Sequence, residues 1–122
     1  MLRLPYYVSL FVPSTVDHNV PNPMLHNSMM QHVAETMAKL FGGATVTDAT
    51  GFYLADNGET IQEKIAVVRS NCSMEQFEQN KPAMVELAEF VCDTMRQECV
   101  GIDFNGTFSL VDAKKILQRQ AA

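Results

Sequence analysis

Two acidic side chains, Asp48 and Glu63, fall inside segments whose neighbours are apolar and β-branched, and chemistry is sought there first. A carboxylate on a partly buried sheet face must be paired or must shift its pKa upward, and such groups concentrate at working sites. Lys64 and Arg69 are near enough in sequence to pair with them across a hairpin, and Tyr53 stands near the end of the strand that carries Asp48. Asp48, Tyr53, Glu63 and Arg69 therefore form the candidate functional surface. The competing account treats the acids as edge-strand charges or a bulge that discourages aggregation.

Other chemistries find no support in the spacing. His18 and His26 flank a long loop, and His32 lies on the polar side of a helix. His32 with Glu35 is an i, i+3 pair, which makes no metal site without further ligands. Cys72, Cys92 and Cys99 have neither paired nor metal-like spacing, and Cys72 has no adjacent histidine to activate it. Gly42-Gly43 precedes a strand rather than a helix and lacks the phosphate-loop pattern, and no G-x-S-x-G elbow occurs. No catalytic residue, metal or cofactor is assigned.

The net charge of -5 and pI near 5.0 argue against a binder of phosphate backbones. The closest basic cluster is Lys114-Lys115 with Arg119, and neither VSLFVP nor VGIDFNG carries the basic and aromatic alternation of an RNA-binding plait. No direct nucleic-acid partner is expected. No run approaches the roughly 18 apolar residues of a membrane span, so no membrane partner is expected either. An odd number of cysteines without C-x-x-C fits a reducing compartment, and with no signal-peptide pattern in Met1 to Val12 the expected location is the cytoplasm. At 122 residues and 47% hydrophobic content, residues 1–122 suit a single domain with its own core.

The elements that must position the candidates follow from periodicity. Tyr6 to Val12 is aromatic and β-branched, a first strand ending at Pro13. The loop STVDHNVPNP follows, with Pro21 and Pro23 predicting extended backbone; a loop of that length is often functional or mobile. Met29, Met30, Val33, Met37, Leu40 and Phe41 make one stripe of a helix over 27–41, stopped by Gly42-Gly43. Strands over 45–54 and 60–70 join at Asp56-Asn57-Gly58, with a bulge expected at Gly51. Ser73 and Gln76 form a capping box for a second helix, and Pro82 predicts a break that restarts it near Lys81. A strand over 99–104, a turn at Asn105-Gly106, a short strand over 107–111 and a terminal helix over 113–120 complete the chain.

The order strand, helix, strand, strand, helix, strand predicts an α+β fold, the ferredoxin-like βαββαβ sandwich. Its antiparallel sheet carries two helices on one face, with an extra C-terminal short strand and helix. The other face stays bare, with Tyr6 or Tyr7, Tyr53, Val68 and Phe108 as its expected occupants. A wide apolar face is rarely left in water, so a homodimer or larger assembly is expected.

The segment FGGATVTDATGFY, with Glu63 on the return strand and the late QECVGIDFNG, resembles small bacterial, phage and plasmid-borne proteins. Those proteins share the helix stop, T-V-T-x-A-x-G and Q-E-x-V-x-[IL]-x-x-N-G patterns. The resemblance spans about Tyr7 to Leu110 and implies a plait-like fold and an origin on a mobile element; it brings no catalytic residues. The leading expectation is a non-catalytic interaction protein acting through an oligomer. In its specific form the acidic surface inhibits a host defence protein by occupying a basic nucleic-acid channel. The alternative is a small dimeric enzyme or small-molecule-binding protein with a pocket between sheet and helices. Asp48 or Glu63 would be its base, and Tyr53 or Arg69 would orient an anion.

Overall fold

Two striped helices need an apolar surface to lie on, and one face of an antiparallel sheet supplies it. The computed structural model describes residues 1–17 and 19–112. Its elements are β1 (Tyr6–Pro13), β2 (Thr15–Val16), β3 (Val20–Pro21), α1 (Pro23–Phe41), β4 (Thr45–Leu54), β5 (Thr60–Cys72), α2 (Met74–Thr94), β6 (Val100–Phe104) and β7 (Thr107–Val111). The five long strands make one sheet in the order β4-β5-β1-β6-β7, every neighbouring pair antiparallel, while β2 and β3 form a separate two-stranded ribbon. The chain is thus α+β, with two helices and a five-stranded antiparallel sheet. The terminal helix expected over 113–120, like His18, lies outside the described residues.

The core lies between the sheet and the helices. Val8, Leu10 and Val12 of β1, Val68 of β5 and Ile102 of β6 are fully buried there, against Met29, Val33 and Met37 of α1 and Met84, Ala88 and Val91 of α2. Because side chains alternate along a strand, the same registers send the opposite set outward: Tyr7, Ser9 and Phe11 of β1 lie beside Asn71, Arg69 and Val67 of β5. Tyr53 and Phe108 share that bare face, as expected. Val68 does not, and Tyr6 stacks on Phe77 of α2 at 5.2 Å between ring centroids.

Local chemistry explains four departures from the sequence expectations. Helix α1 begins at Pro23, because the Asn22 side chain accepts from Leu25 N–H and a proline at the first helical position loses no bond it could make. No bulge interrupts β4: pairing with β5 runs unbroken from Thr45↔Arg69 to Leu54↔Thr60. The space left by Gly51 is filled by Ile65, whose Cδ1 would have to shift for a Cβ there, 2.5 Å away. The first hairpin turn uses one left-handed residue, Gly58 at φ +87°, whereas the second uses both Asn105 and Gly106, at +51° and +99°.

The fourth departure is α2, one helix through Pro82. Ser73 and Gln76 complete the predicted capping box, and Phe77 is buried one turn before the proline, so the first turn is anchored and cannot peel away. Asn80 donates to the Leu40 carbonyl at 3.2 Å instead of capping a restarted helix. An interior proline still forfeits one helical hydrogen bond. Pro82→Ala is therefore expected to stabilise the protein, by about 1–3 kcal/mol in urea unfolding; no change would mean that the helix starts afresh at Lys81.

Candidate functional site

Glu63 stands on β5 opposite Gly51 of β4 and is 6% exposed. Neither Lys64 nor Arg69 pairs with it. Its partners are neutral donors, because the chain leaving β1 at Pro13 crosses directly above it. Ser14 N–H and Thr15 N–H donate to Oε2 at 3.0 and 3.1 Å, and the Thr15 hydroxyl donates to the same oxygen at 2.7 Å. The Tyr53 hydroxyl donates to Oε1 at 2.7 Å. Four donors and no acceptor are the surroundings that suit an ionised carboxylate.

Tyr53 reaches Glu63 because the pairs Gly51↔Glu63 and Tyr53↔Ile61 lie on the same sheet face, and the missing side chain at Gly51 leaves the diagonal open. Burial, then the hydrogen bond to Glu63, then the charges of Glu63 and Cys99 push the Tyr53 phenol up to about 12. At neutral pH it is a donor and no base. Its oxygen also lies 3.2 Å from Asn19 Oδ1, on the strap between β2 and β3. Asp17, Asn19 and Arg96 have φ of +34°, +70° and +52°, a left-handed backbone that Asn and Asp tolerate well and Arg less so.

The strap is tied to the turn after α2. Arg96 Nη2 lies 2.6 Å from Asp17 Oδ2, and Gln97 Nε2 donates to the Thr15 carbonyl at 2.6 Å. Between strap, turn and sheet lies an open concavity of about 1150 Å³. Phe11, Ile65, Gly101 and Phe108 line it on the sheet, with Tyr53 and Glu63 at one side and Gln97 to Cys99 at the other. Phe11 and Phe108 meet edge to face at 5.4 Å, and a Cβ on Gly101 would stand 2.6 Å from the Phe108 ring. The concavity thus sits on the bare face, not between sheet and helices where the enzyme alternative placed it.

Of the four candidates, two come together. Arg69 shares the sheet face with Glu63 but is six residues along β5, roughly 20 Å away at the rise of a strand. It lies over the Tyr7 ring at 3.7 Å, and the Tyr7 hydroxyl donates to Asp103 Oδ2 at 3.2 Å. Burial and then Asp103 raise the Tyr7 pKa, against the opposing charge of Arg69. Asp48 pairs in register with Ala66, on the helix-side phase of edge strand β4, and is exposed because the helices do not extend over it. Its apolar phase misled: beyond the helices the same phase is solvent-facing. His26 Nδ1 bonds the Pro13 carbonyl at 2.7 Å and His32 stacks on Phe90, and no cluster of metal-ligating side chains occurs among the described residues. Asn19, Ser14, Thr15, Arg96 and Gln97 escaped the sequence reading; the length of the loop after β1 was the one signal for the first three, and Arg96 and Gln97, in the turn after α2, had none.

Two solved structures share this architecture. A phage SAM lyase in its apo state superposes with a TM-score of 0.59 and 18% identity, over 93% of this chain and 96% of that chain. The phage SAM lyase in complex with S-methyl-5'-thioadenosine gives a TM-score of 0.57 at the same identity and coverage. No family model and no curated protein matches the chain. The likeness shows the fold. The leading expectation of a non-catalytic interaction protein is corrected on this finding: the solved structures that share the fold at nearly equal length are those of a SAM lyase.

The raised phenol sets a pH test. A pKa of about 12 in the folded chain against 10.0 when free means that the Tyr53 contribution to stability is complete below pH 10 and is lost as pH rises through about 12. The stability difference between wild type and Tyr53→Phe should be constant up to pH 10 and shrink above it. Tyrosinate absorbance of the variant should lack the latest-titrating phenol. Tyr53 ionising at 10 in the folded protein would show that its bond to Glu63 is not made.

Proposed function

We propose that this chain is a lyase acting on S-adenosylmethionine, and that Glu63 holds the substrate's ammonium group. One observation carries the reading: Glu63 Oε2 is fixed by three donors, whereas Oε1 has the single Tyr53 phenol and borders an aromatic-lined concavity. An anchored anion with one displaceable partner is a seat for a cationic N–H donor. Phe11, Phe108 and Tyr53 offer ring faces for a sulfonium and for a nucleobase. The shared fold of the phage SAM lyase supports the same substrate class, and its bound S-methyl-5'-thioadenosine is S-adenosylmethionine without the amino-acid chain. A net charge of -5 favours approach of a cationic substrate.

The bond broken is that between sulfur and Cγ of the amino-acid chain. As the substrate's own carboxylate oxygen bonds to Cγ, the S–Cγ pair passes to sulfur and cancels its charge. S-methyl-5'-thioadenosine and a four-carbon aminolactone leave; no water enters and no proton moves. This route suits a site whose buried carboxylate is engaged by donors and whose phenol is no base. The ammonium keeps its charge throughout, so Glu63 binds ground and transition states alike. Acceleration comes from folding the chain so that carboxylate faces Cγ, and from stripping water off that carboxylate.

The fold reading includes the ferredoxin-like plait: the order β4-β5-β1-β6 is the one two head-to-tail strand-helix-strand units produce, with β7 added at the edge. It also includes assembly of copies, a dimer or larger, supported by exposed Phe52, Leu54, Phe108 and Leu110 around the concavity. An origin on a mobile element is also part of the reading, carried by the resemblance of FGGATVTDATGFY and QECVGIDFNG.

Purified protein incubated with S-adenosylmethionine should release S-methyl-5'-thioadenosine without taking oxygen from labelled water into the lactone. Glu63→Gln should lower kcat/KM about 100-fold or more, chiefly through KM, because a neutral amide replaces a buried anion. No nucleoside product from the wild type removes the proposal. Cys99, the exposed thiol lining the concavity, should be shielded from alkylation by S-methyl-5'-thioadenosine. Light scattering at micromolar concentration should give a multiple of 13.6 kDa, and the monomer mass would remove the assembly.

A further inference from the structure

We infer that Asn19 is a positioning residue acting through Tyr53: it is the second acceptor to which the phenol proton turns when a ligand's ammonium group occupies Glu63 Oε1. The inference rests on the proposed function and concerns a residue of the strap that contributes nothing to the sheet.

The Tyr53 oxygen lies 2.7 Å from Glu63 Oε1 and 3.2 Å from Asn19 Oδ1. A phenol carries one proton and can serve one of these acceptors well at a time. In the empty site the shorter contact, to a charged acceptor, wins. A ligand ammonium on Oε1 competes for the lone pairs of that oxygen and reverses the preference. Without a second acceptor the phenol would be left unsatisfied beside a dehydrated ligand, and a stranded polar group costs binding free energy. Asn19 is placed to prevent this.

The placement is built. Asn19 adopts φ +70°, a conformation few residue types accept readily. The strap that carries it is fixed by the Arg96–Asp17 pair, by Gln97 to the Thr15 carbonyl, and by Asn22 N–H to the Ser14 carbonyl at 3.0 Å. Its near end is held by Glu63 itself, through Ser14 and Thr15. One carboxylate therefore fixes the strap with one oxygen and meets the ligand with the other.

The test compares a ligand that has the ammonium group with one that lacks it. S-adenosylhomocysteine keeps the amino-acid chain and has no sulfonium to expel; S-methyl-5'-thioadenosine has no such chain. Calorimetry should show Asn19→Ala weakening S-adenosylhomocysteine about tenfold while S-methyl-5'-thioadenosine stays within about twofold. Asn19→Asp, which can accept but not donate, should restore S-adenosylhomocysteine. In ligand-free Asn19→Ala, Tyr53 should still ionise late, because the proton rests on Glu63. Equal weakening of both ligands, no weakening of either, or an Asp variant that behaves like the Ala variant would overturn the inference. So would early ionisation of Tyr53 in the free Ala variant. If the wild type binds neither nucleoside, the proposed function fails and this inference with it; if the wild type binds and cleaves but the Asn19 variants match it, the inference alone fails.

Discussion

A carboxylate buried in a sheet must find donors, and at Glu63 they come from the segment that leaves β1. Ser14 and Thr15 can donate because the chain turns off the sheet at Pro13 and passes over β5. That requirement shapes the whole end of the molecule. It starts the strap, places Thr15 where Gln97 can bond its carbonyl, and brings Asn19 beside Tyr53. Replacing the donors by a lysine or arginine would have satisfied the charge and closed the site. Satisfying it with backbone and hydroxyl groups leaves the negative charge uncancelled, available to a ligand.

The rest of the fold makes that arrangement rigid. Both helices lie on one face, and their packing fixes β1, β5 and β6 from behind. The opposite face therefore carries the concavity on a stiff floor, in which Gly51 and Gly101 admit Ile65 and Phe108 at distances no Cβ would allow. Two tyrosine–carboxylate pairs stand on this face. Tyr7 with Asp103 is countered by Arg69 stacked on the ring, whereas Tyr53 with Glu63 has no cation beside it among the described residues. The uncompensated pair is the one beside the cavity.

The fold is shared with a phage SAM lyase. Catalysis without a free base is coherent when the substrate contains both its nucleophile and its leaving group. Under the proposed function the protein would need only to bind, fold and dehydrate its substrate, which a shallow sheet face beside a strap can do.

Alternation and helical stripes in the sequence determined the five long strands, both helices and the turn at Asn105-Gly106, because these depend on contacts between residues near one another in the chain, whereas the β2–β3 ribbon falls in the segment read as a loop. Tyr53 and Glu63 were legible as candidates for the same reason: one hairpin joins them. Asp48 and Arg69 obey the same local pattern and were misplaced by it, since period two tells which side of a strand a residue takes but not whether a helix covers that side. Pro82 misled because a local rule favours a break, while a capping box and the buried Phe77 hold the turn before it. Asn19, Thr15, Arg96 and Gln97 could be found only in the folded chain. Asn19 meets Tyr53 across 34 residues, Thr15 meets Glu63 across 48 and Gln97 meets Thr15 across 82, and no local periodicity records such meetings. The sequence by itself therefore settled which segments become the five long strands and where two helices lie; the tertiary structure alone decided which carboxylate is buried with no cation beside it among the described residues and borders the concavity.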